Sequence, residues 1–276
     1  MPYLRVEDGD LYFQCTGQGP PIVFVNDWAL SQNYWQPIVQ RLSSTYTCVT
    51  YDARGFGQSR SFLPAASYTI DHHADDLHRL LVSLRLGLVH LVAHGLGVLA
   101  SGLSVDRHPQ DVQTLSLVAA EAELASDHVL QRRLKYVQAL LVLKRMATLP
   151  LVRHVVLQRY GLGRLSPAAR KMLLRDFSQL DARSAWPMIG SALDEQTFQE
   201  AIAGIAEVSV PVLIVAGGQD ALAPVDHAQK IFARIQRGRL VTMHACGHFP
   251  MLEAPEKFVD VLRHFFEAVG PTASKP

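Results

Sequence analysis

The sequence predicts an α/β chain: a mostly parallel sheet flanked by helices, with an all-helical segment inserted late. Three observations carry this. Near-continuous apolar runs of strand length recur through the first 120 residues, as strands covered on both faces read. Amphipathic stretches of helix length lie between several of them. Strand signals then stop near Glu121 and resume at Val210.

Taken in order, the expected strands of the first part are Leu11 to Cys15, Ile22 to Val25, Tyr46 to Tyr51, Leu88 to Ala93 and Leu115 to Ala120. The expected helices are Gln32 to Leu42, Asp71 to Leu84 and Leu96 to Val105. The second opens on an Asp and carries an apolar face of Ala74, Leu77, Leu81 and Leu84. Between Glu121 and about Val208 helix formers dominate, interrupted at Pro150, Gly161 to Gly163, Pro167 and Pro187. Alternation then returns as strand Val210 to Gly217, a helix near Val225 to Ile235, strand Leu240 to His244 and a last helix Pro255 to Val269. Pro271 to Pro276 is expected to be a loose tail.

With 276 residues, 49% hydrophobic and 18% charged, the chain has material for one large core carrying an insertion. The longest apolar runs, such as Ala139 to Leu143, fall far short of the roughly 18 to 20 residues of a membrane span. The opening MPYLRVEDGDLYF lacks the basic and apolar regions of a secretory signal, so the cytoplasm is the expected compartment. Cys15, Cys48 and Cys246 show no C-x-x-C spacing and are expected as core thiols. The net charge of +1 hides a block, Gln131 to Arg183, with twelve Lys or Arg against Asp176 and Asp181. A solvated helical face explains such a block more simply than an anionic ligand or an acidic membrane surface, though peripheral membrane contact stays open. Aromatic interleaving and nucleic-acid modules are missing, so no nucleic-acid partner is expected. Neither a dinucleotide phosphate loop nor metal-ligand spacing is found, and no cofactor or metal is expected. Oligomeric state is not readable.

The segment Leu91-Val92-Ala93-His94-Gly95-Leu96-Gly97 runs from a hydrophobic strand through a tight turn into a helix. Small residues at such a turn let its centre adopt a strained conformation above the carboxyl end of the sheet. The helix beginning at Leu96 points its N–H at the same place. Three further segments stand out: Asp52-Ala53-Arg54-Gly55-Phe56-Gly57-Gln58-Ser59, Gly217-Gly218-Gln219-Asp220, and Gly247-His248-Phe249-Pro250-Met251-Leu252-Glu253-Ala254-Pro255.

In these four ordered motifs, spread over nearly the whole chain, the sequence resembles the α/β-hydrolase superfamily in its cap-bearing subgroup. The resemblance implies an α/β-hydrolase fold with a mostly parallel eight-stranded sheet, a core of residues 1–120 and 209–276, and a helical cap over 121–208. It implies Asp220 as the acid, His248 as the base and Gly95 at the position of the nucleophile, usually Ser and sometimes Asp or Cys. Glycine cannot attack anything, and losing a triad serine costs about a million-fold in turnover. Ala93 also stands where the family usually has Gly. After the third strand the family generally has His-Gly; this chain has Val25-Asn26-Asp27-Trp28. By position the oxyanion donors would be the backbone N–H groups of Trp28 and Leu96. An inward, ionised Asp27 would oppose a developing oxyanion there, and Asp27 could itself serve as an additional acid or base.

A His248 and Asp220 dyad without a nucleophile can move protons: it could activate water, or deprotonate a substrate for elimination or cyclisation. The first expectation is therefore an enzyme acting by general acid and base catalysis on an apolar or amphipathic small molecule, as a lyase, cyclase or water-activating hydrolase. A ligand-binding pseudo-hydrolase is the second, and a serine hydrolase of ester or C–C bonds whose nucleophile was mutated to Gly the third. His94 is more simply a packing residue, Asp52 and Arg54 loop pins, and His72, His73, His90, His128 and His154 carry no motif.

Overall fold

The computed structural model describes residues 2–59, 62–63, 67–122 and 162–270. Its eight strands are β1 (Tyr3–Val6), β2 (Gly9–Thr16), β3 (Pro21–Val25), β4 (Thr47–Tyr51), β5 (Val89–His94), β6 (Val112–Val118), β7 (Val212–Gly217) and β8 (Gly238–Met243). They form one sheet in the order β1-β2-β4-β3-β5-β6-β7-β8, with the β1–β2 and β2–β4 pairs antiparallel and the remaining pairs parallel. This is the α/β-hydrolase fold. The sequence reading misses β1, a four-residue edge strand with little apolar content, and starts β6 three residues late.

Helices α1 (Gln36–Leu42), α2 (Ile70–Ser83) and α3 (Gly97–Arg107) alternate with the strands. Residues 32–35, expected as helix, form a 3-10 turn ahead of α1, because Pro37 suits the first turn of the α-helix that follows. Beyond the sheet's sixth strand come α4 (Pro167–Ser178), α5 (Ala182–Ala192) and α6 (Glu195–Glu207), then α7 (Val225–Phe232), α8 (Pro250–Glu253) and α9 (Pro255–Val269). One face of the sheet packs against Leu77 and Leu81 of α2, Leu99 and Leu103 of α3, and Ala201 and Ile205 of α6. The other packs against Trp35, Ile38 and Leu42, and Phe258 and Leu262 of α9. Both faces are covered, which is why the strands read as continuous apolar runs.

The inserted segment divides: α6 packs along α3 on the core, α4 and α5 touch the loops above the sheet, and 123–161 lies outside the described residues, with much of the basic block. The tail 271–276 does too. Of the cysteines, Cys48 and Cys246 are buried as expected, whereas Cys15 is exposed near the end of β2. Among the described residues no helix is long and apolar enough to cross a membrane.

Candidate active site

The site gathers at the carboxyl ends of β3, β5, β7 and β8, where parallel strands of an open sheet leave a crevice. The strand β5 ends at His94, Gly95 turns the chain with φ of +54°, and α3 starts two residues later. That left-handed conformation suits glycine. A second reason is steric: a Cβ at position 95 would lie 2.2 Å from both Cγ and Oδ1 of Asp27. The space that a side chain on this turn would fill is taken by a carboxylate arriving from the loop after β3.

The Asp27 carboxylate is held asymmetrically. Its Oδ1 accepts the Trp28 N–H at 2.7 Å and the Leu96 N–H at 2.8 Å, the two backbone donors expected for an oxyanion. Its Oδ2 lies 3.5 Å from Nε2 of His248. On the far side of the ring, His248 Nδ1–H donates to Asp220 Oδ2 at 2.8 Å, while Asp220 Oδ1 accepts the N–H groups of Leu222 and Ala223. The sequence-predicted residues Asp27, Trp28, Gly95, Leu96, Asp220 and His248 thus come together at one point. Side-chain exposure falls from 17% at Asp27 through 9% at His248 to 0% at Asp220, so Asp27 is the least buried of the three.

The electrostatics follow from this sandwich. Burial by itself would push the His248 imidazole down; the hydrogen bonds and charges of Asp220 and Asp27 outweigh it and raise its pKa to about 10. Burial likewise opposes ionisation of Asp27, but the His248 hydrogen bond, the nearby imidazoles and the Leu96 N–H leave it below the ordinary carboxylate value. Asp220 is lowered too, its burial outweighed by His248 and by two backbone donors. These shifts favour an imidazolium at His248, held between two carboxylates.

Several positioning residues escape that reading. Asn26 Nδ2 donates to the Tyr51 carbonyl at 2.9 Å, and its Oδ1 accepts from Trp35 Nε1, which fixes the loop root. The Asp27 N–H donates to the Tyr34 hydroxyl at 3.0 Å. His94 Nε2 faces the His248 carbonyl at 2.9 Å and, since a carbonyl only accepts, must carry the hydrogen; His94 Nδ1 therefore accepts from the Tyr34 hydroxyl at 3.3 Å. His94 clamps the Asp27 loop to the His248 loop, and burial depresses its pKa to about 4, keeping it neutral. Nothing in the spacing of Tyr34 signals this; its place in the 3-10 turn does. Glu253 explains the G-H-x-x-x-x-E pattern, accepting N–H groups from Gly247 and Phe249 on either side of His248. From the inserted helices, Ala185 accepts from Trp28 Nε1 and Asp176 accepts from the backbone and hydroxyl of Ser31.

Asp27, His94 and His248 also approach closely enough to share a metal ion. A metal there would have to displace a hydrogen bond of His94 and the proton of His248, so the donor set is arranged for ion pairing. The expected loop pins are as predicted: Arg54 is 2% exposed and bonds Asp76 through Nε and Nη2, and Asp52 accepts from Gln32 and Gln58.

Comparison with known proteins gives a consistent family. The chain is 26% identical to the AB hydrolase superfamily protein YisY of Bacillus subtilis, over 95% of this chain and 98% of the relative. It is also 26% identical to a pimeloyl-acyl-carrier-protein methyl ester esterase of Nitrosomonas europaea, over 90% of this chain and 96% of that one. The enol-lactonase of Burkholderia xenovorans superposes with a TM-score of 0.80 at 22% identity, covering 96% of this chain and all of that one, a likeness of fold. A model described as the alpha/beta hydrolase family matches residues 22–261, and the chain belongs to that family.

Proposed function

We propose that this chain is a hydrolase of the family whose chemistry runs through Asp27, His248 and Asp220, with Gly95 at the nucleophile position and no acyl-enzyme on the elbow. The supporting observation is the placement of the Asp27 carboxylate: it fills the space of the elbow side chain, rests on the Trp28 and Leu96 N–H groups, and faces His248. In this reading Asp220 orients His248, His248 moves protons at Nε2, and the relatives' ester and lactone hydrolysis marks the class of reaction. The substrate is an apolar or amphipathic small molecule, in keeping with the half-buried Trp28 and Leu96 beside the carboxylate. Lyase or cyclase chemistry has less support, because the proton-moving group rests as an acid and not as a free base. No cofactor is part of the proposal.

The test is hydrolysis of a panel of esters, lactones and alkyl electrophiles, followed by proton release, alongside labelling with a fluorophosphonate probe. Turnover that falls about a thousand-fold or more in His248→Gln, with no probe labelling, is the expected result. Full turnover in His248→Gln overturns it. A second reading, a ligand-binding pseudo-hydrolase, is favoured by the same carboxylate occupying both backbone donors; it predicts ligand-dependent stabilisation without product. A serine introduced at position 95 would not rebuild a triad while Asp27 stays in place, since its Cβ meets Asp27 Cγ at 2.2 Å.

A further inference from the structure

We infer that His78, His108 and Asp111 form a site for a divalent transition-metal ion of the zinc class, at the end of the sheet opposite the candidate active site.

Helix packing brings the three side chains together. His78 lies on α2 next to Leu77, which belongs to the core that α2 and α3 share. His108 ends α3, its N–H donating to the Ser104 carbonyl at 2.9 Å. Pro109–Asp111 then form a 3-10 turn in which the Asp111 N–H donates back to the His108 carbonyl at 3.1 Å, so His108 and Asp111 are held as one unit. Since α3 starts beside Gly95 and runs for eleven residues, about 16 Å, this turn lies at the amino end of β6, away from the crevice.

All three side chains are half-buried. Asp111 Oδ2 is 2.7 Å from His78 Nδ1, and the rings of His78 and His108 lie face to face, with centroids 3.4 Å apart and planes within 9°. One ligating atom of each residue lies within 4.8 Å of those of the other two. The His108 ring nitrogens have no hydrogen-bond partner among the described residues. The neighbouring Arg107 guanidinium is paired with Asp71 and Asp75 of α2, two carboxylates against one cation, so the surroundings do not repel a positive ion.

Two imidazoles and a carboxylate are donors for zinc, nickel or copper, whereas magnesium and calcium take oxygen. Donors around a tetrahedral zinc ion stand about 3.3 Å apart, so side-chain rotations of about 1.5 Å close the three on an ion. An ion lies in the plane of each imidazole that binds it, and two parallel planes do not meet. Coordination therefore unstacks the rings, with His108, beyond the last regular turn of α3, turning toward the ion. Asp27, His94 and His248 offer the same residue types, but an ion there would displace a proton held between two carboxylates and a bond that joins two loops. At His78 it displaces one hydrogen bond and engages the open nitrogens of His108.

Equilibrium dialysis of the full-length chain against micromolar zinc is the test. One equivalent should bind, magnesium should not compete, and affinity should fall about a hundred-fold or more in His78→Gln and in His108→Gln. His248→Gln, which alters the other cluster, should leave it unchanged. Thermal melting of the metal-free variants checks their fold. In the native chain, nitrogen-15 spectra should show the ring nitrogens of His78 and His108 moving as zinc is added, while their ring protons lose the shifts of a stacked pair. The inference is overturned by the absence of saturable binding, by an equivalent that survives His108→Gln in a folded chain or is lost only in His248→Gln, by magnesium displacing the zinc, or by zinc that moves neither ring.

Discussion

At Gly57 and at Gly95 an aspartate carboxylate takes the space of a Cβ, and the two aspartates are held in different ways. At Gly57, with φ of +50°, an added Cβ would meet Asp52 Cγ at 2.2 Å; at Gly95, with φ of +54°, it would meet Asp27 Cγ at the same distance. Asp52 is 1% exposed, with the Gln32 N–H on Oδ1 at 2.6 Å and the Gln58 N–H on Oδ2 at 2.7 Å. Both oxygens are tied to backbone, and the carboxylate locks a turn. Asp27 has both of its backbone donors on Oδ1, so Oδ2 is turned toward an imidazolium. The same steric placement thus leaves one carboxylate fully tied to backbone and the other with an oxygen facing a titratable cation. The cations differ in the same way: Arg54, beside Asp76, keeps its charge at any working pH, whereas His248 can surrender a proton.

The comparison is broken most severely by changing Asp27. Asp27→Asn keeps the acceptor for both N–H groups but removes the charge that faces His248, and on the proposed function turnover should fall about 10⁴-fold while the melting temperature moves little. Asp52→Asn should do the reverse, leaving a buried donor facing the Gln32 or Gln58 N–H and lowering stability by about 2 kcal/mol. Retained turnover in Asp27→Asn would place both aspartates in the structural class.

Next in size are the glycines. Gly57→Ala should destabilise by about 3 kcal/mol, from the left-handed backbone and the loss of the Asp52 bonds. Gly95→Ala should cost about 2 kcal/mol, and adding Asp27→Gly should recover about 1 kcal/mol of it, since the steric conflict is gone. Denaturant unfolding of the single and double variants measures this coupling. No such rescue is expected from Asp52→Gly in Gly57→Ala, where the N–H of fully buried Gln32 would be left bare, whereas the donors freed by Asp27→Gly belong to the half-buried Trp28 and Leu96.

The pH dependence of stability sharpens the contrast between the histidines. The folded chain holds the His248 proton up to about 10, against 6.5 for a free imidazole. This contribution is complete below about 6.5 and is lost as pH rises toward 10, at up to about 1.4 kcal/mol per pH unit. Burial depresses His73 to about 3, His90 to about 4 and His94 to about 4, so their contribution is present above 6.5 and is lost as pH falls below it. Stability should therefore peak near 6.5, and His248→Gln should flatten only the alkaline side of the melting-temperature profile.

The smallest expected effect is at Tyr34. Tyr34→Phe removes the hydroxyl that joins the Asp27 N–H to His94, costing about 1 kcal/mol. Turnover should fall only a few-fold, because the Trp28 and Leu96 donors still hold the carboxylate. A loss as large as that of Asp27→Asn would move Tyr34 into the chemistry itself.

Much of this was legible in the residues. The strand β5 and its turn were readable because a fully buried strand is apolar throughout and a sharp turn into a helix needs small residues. The last helix starts at Pro255 as read, since proline suits a first helical turn. The antiparallel edge strand β1 was not readable, because half-exposed edge residues such as Tyr3 and Arg5 carry no continuous apolar signal. The residue type at position 27 does not say whether its side chain turns inward, and the hydrogen bonds of Tyr34 and Asn26 follow from no spacing in the sequence. Their roles depend on which atoms meet across three strands.

From the order of residues alone came the alternation of elements, and the resemblance to the family implied the pairing of His248 with Asp220 and a glycine where the family carries its nucleophile. Only the folded chain decided what stands in its place. Position 27 and position 95 follow the ends of neighbouring parallel strands, β3 and β5, which a long crossover connects. The direction of two N–H groups and the space left by a missing Cβ are properties of that meeting, and a one-dimensional string does not encode them locally. The physical cause is the same for both: hydrogen bonds and excluded volume act through space between atoms, whichever part of the chain supplies them.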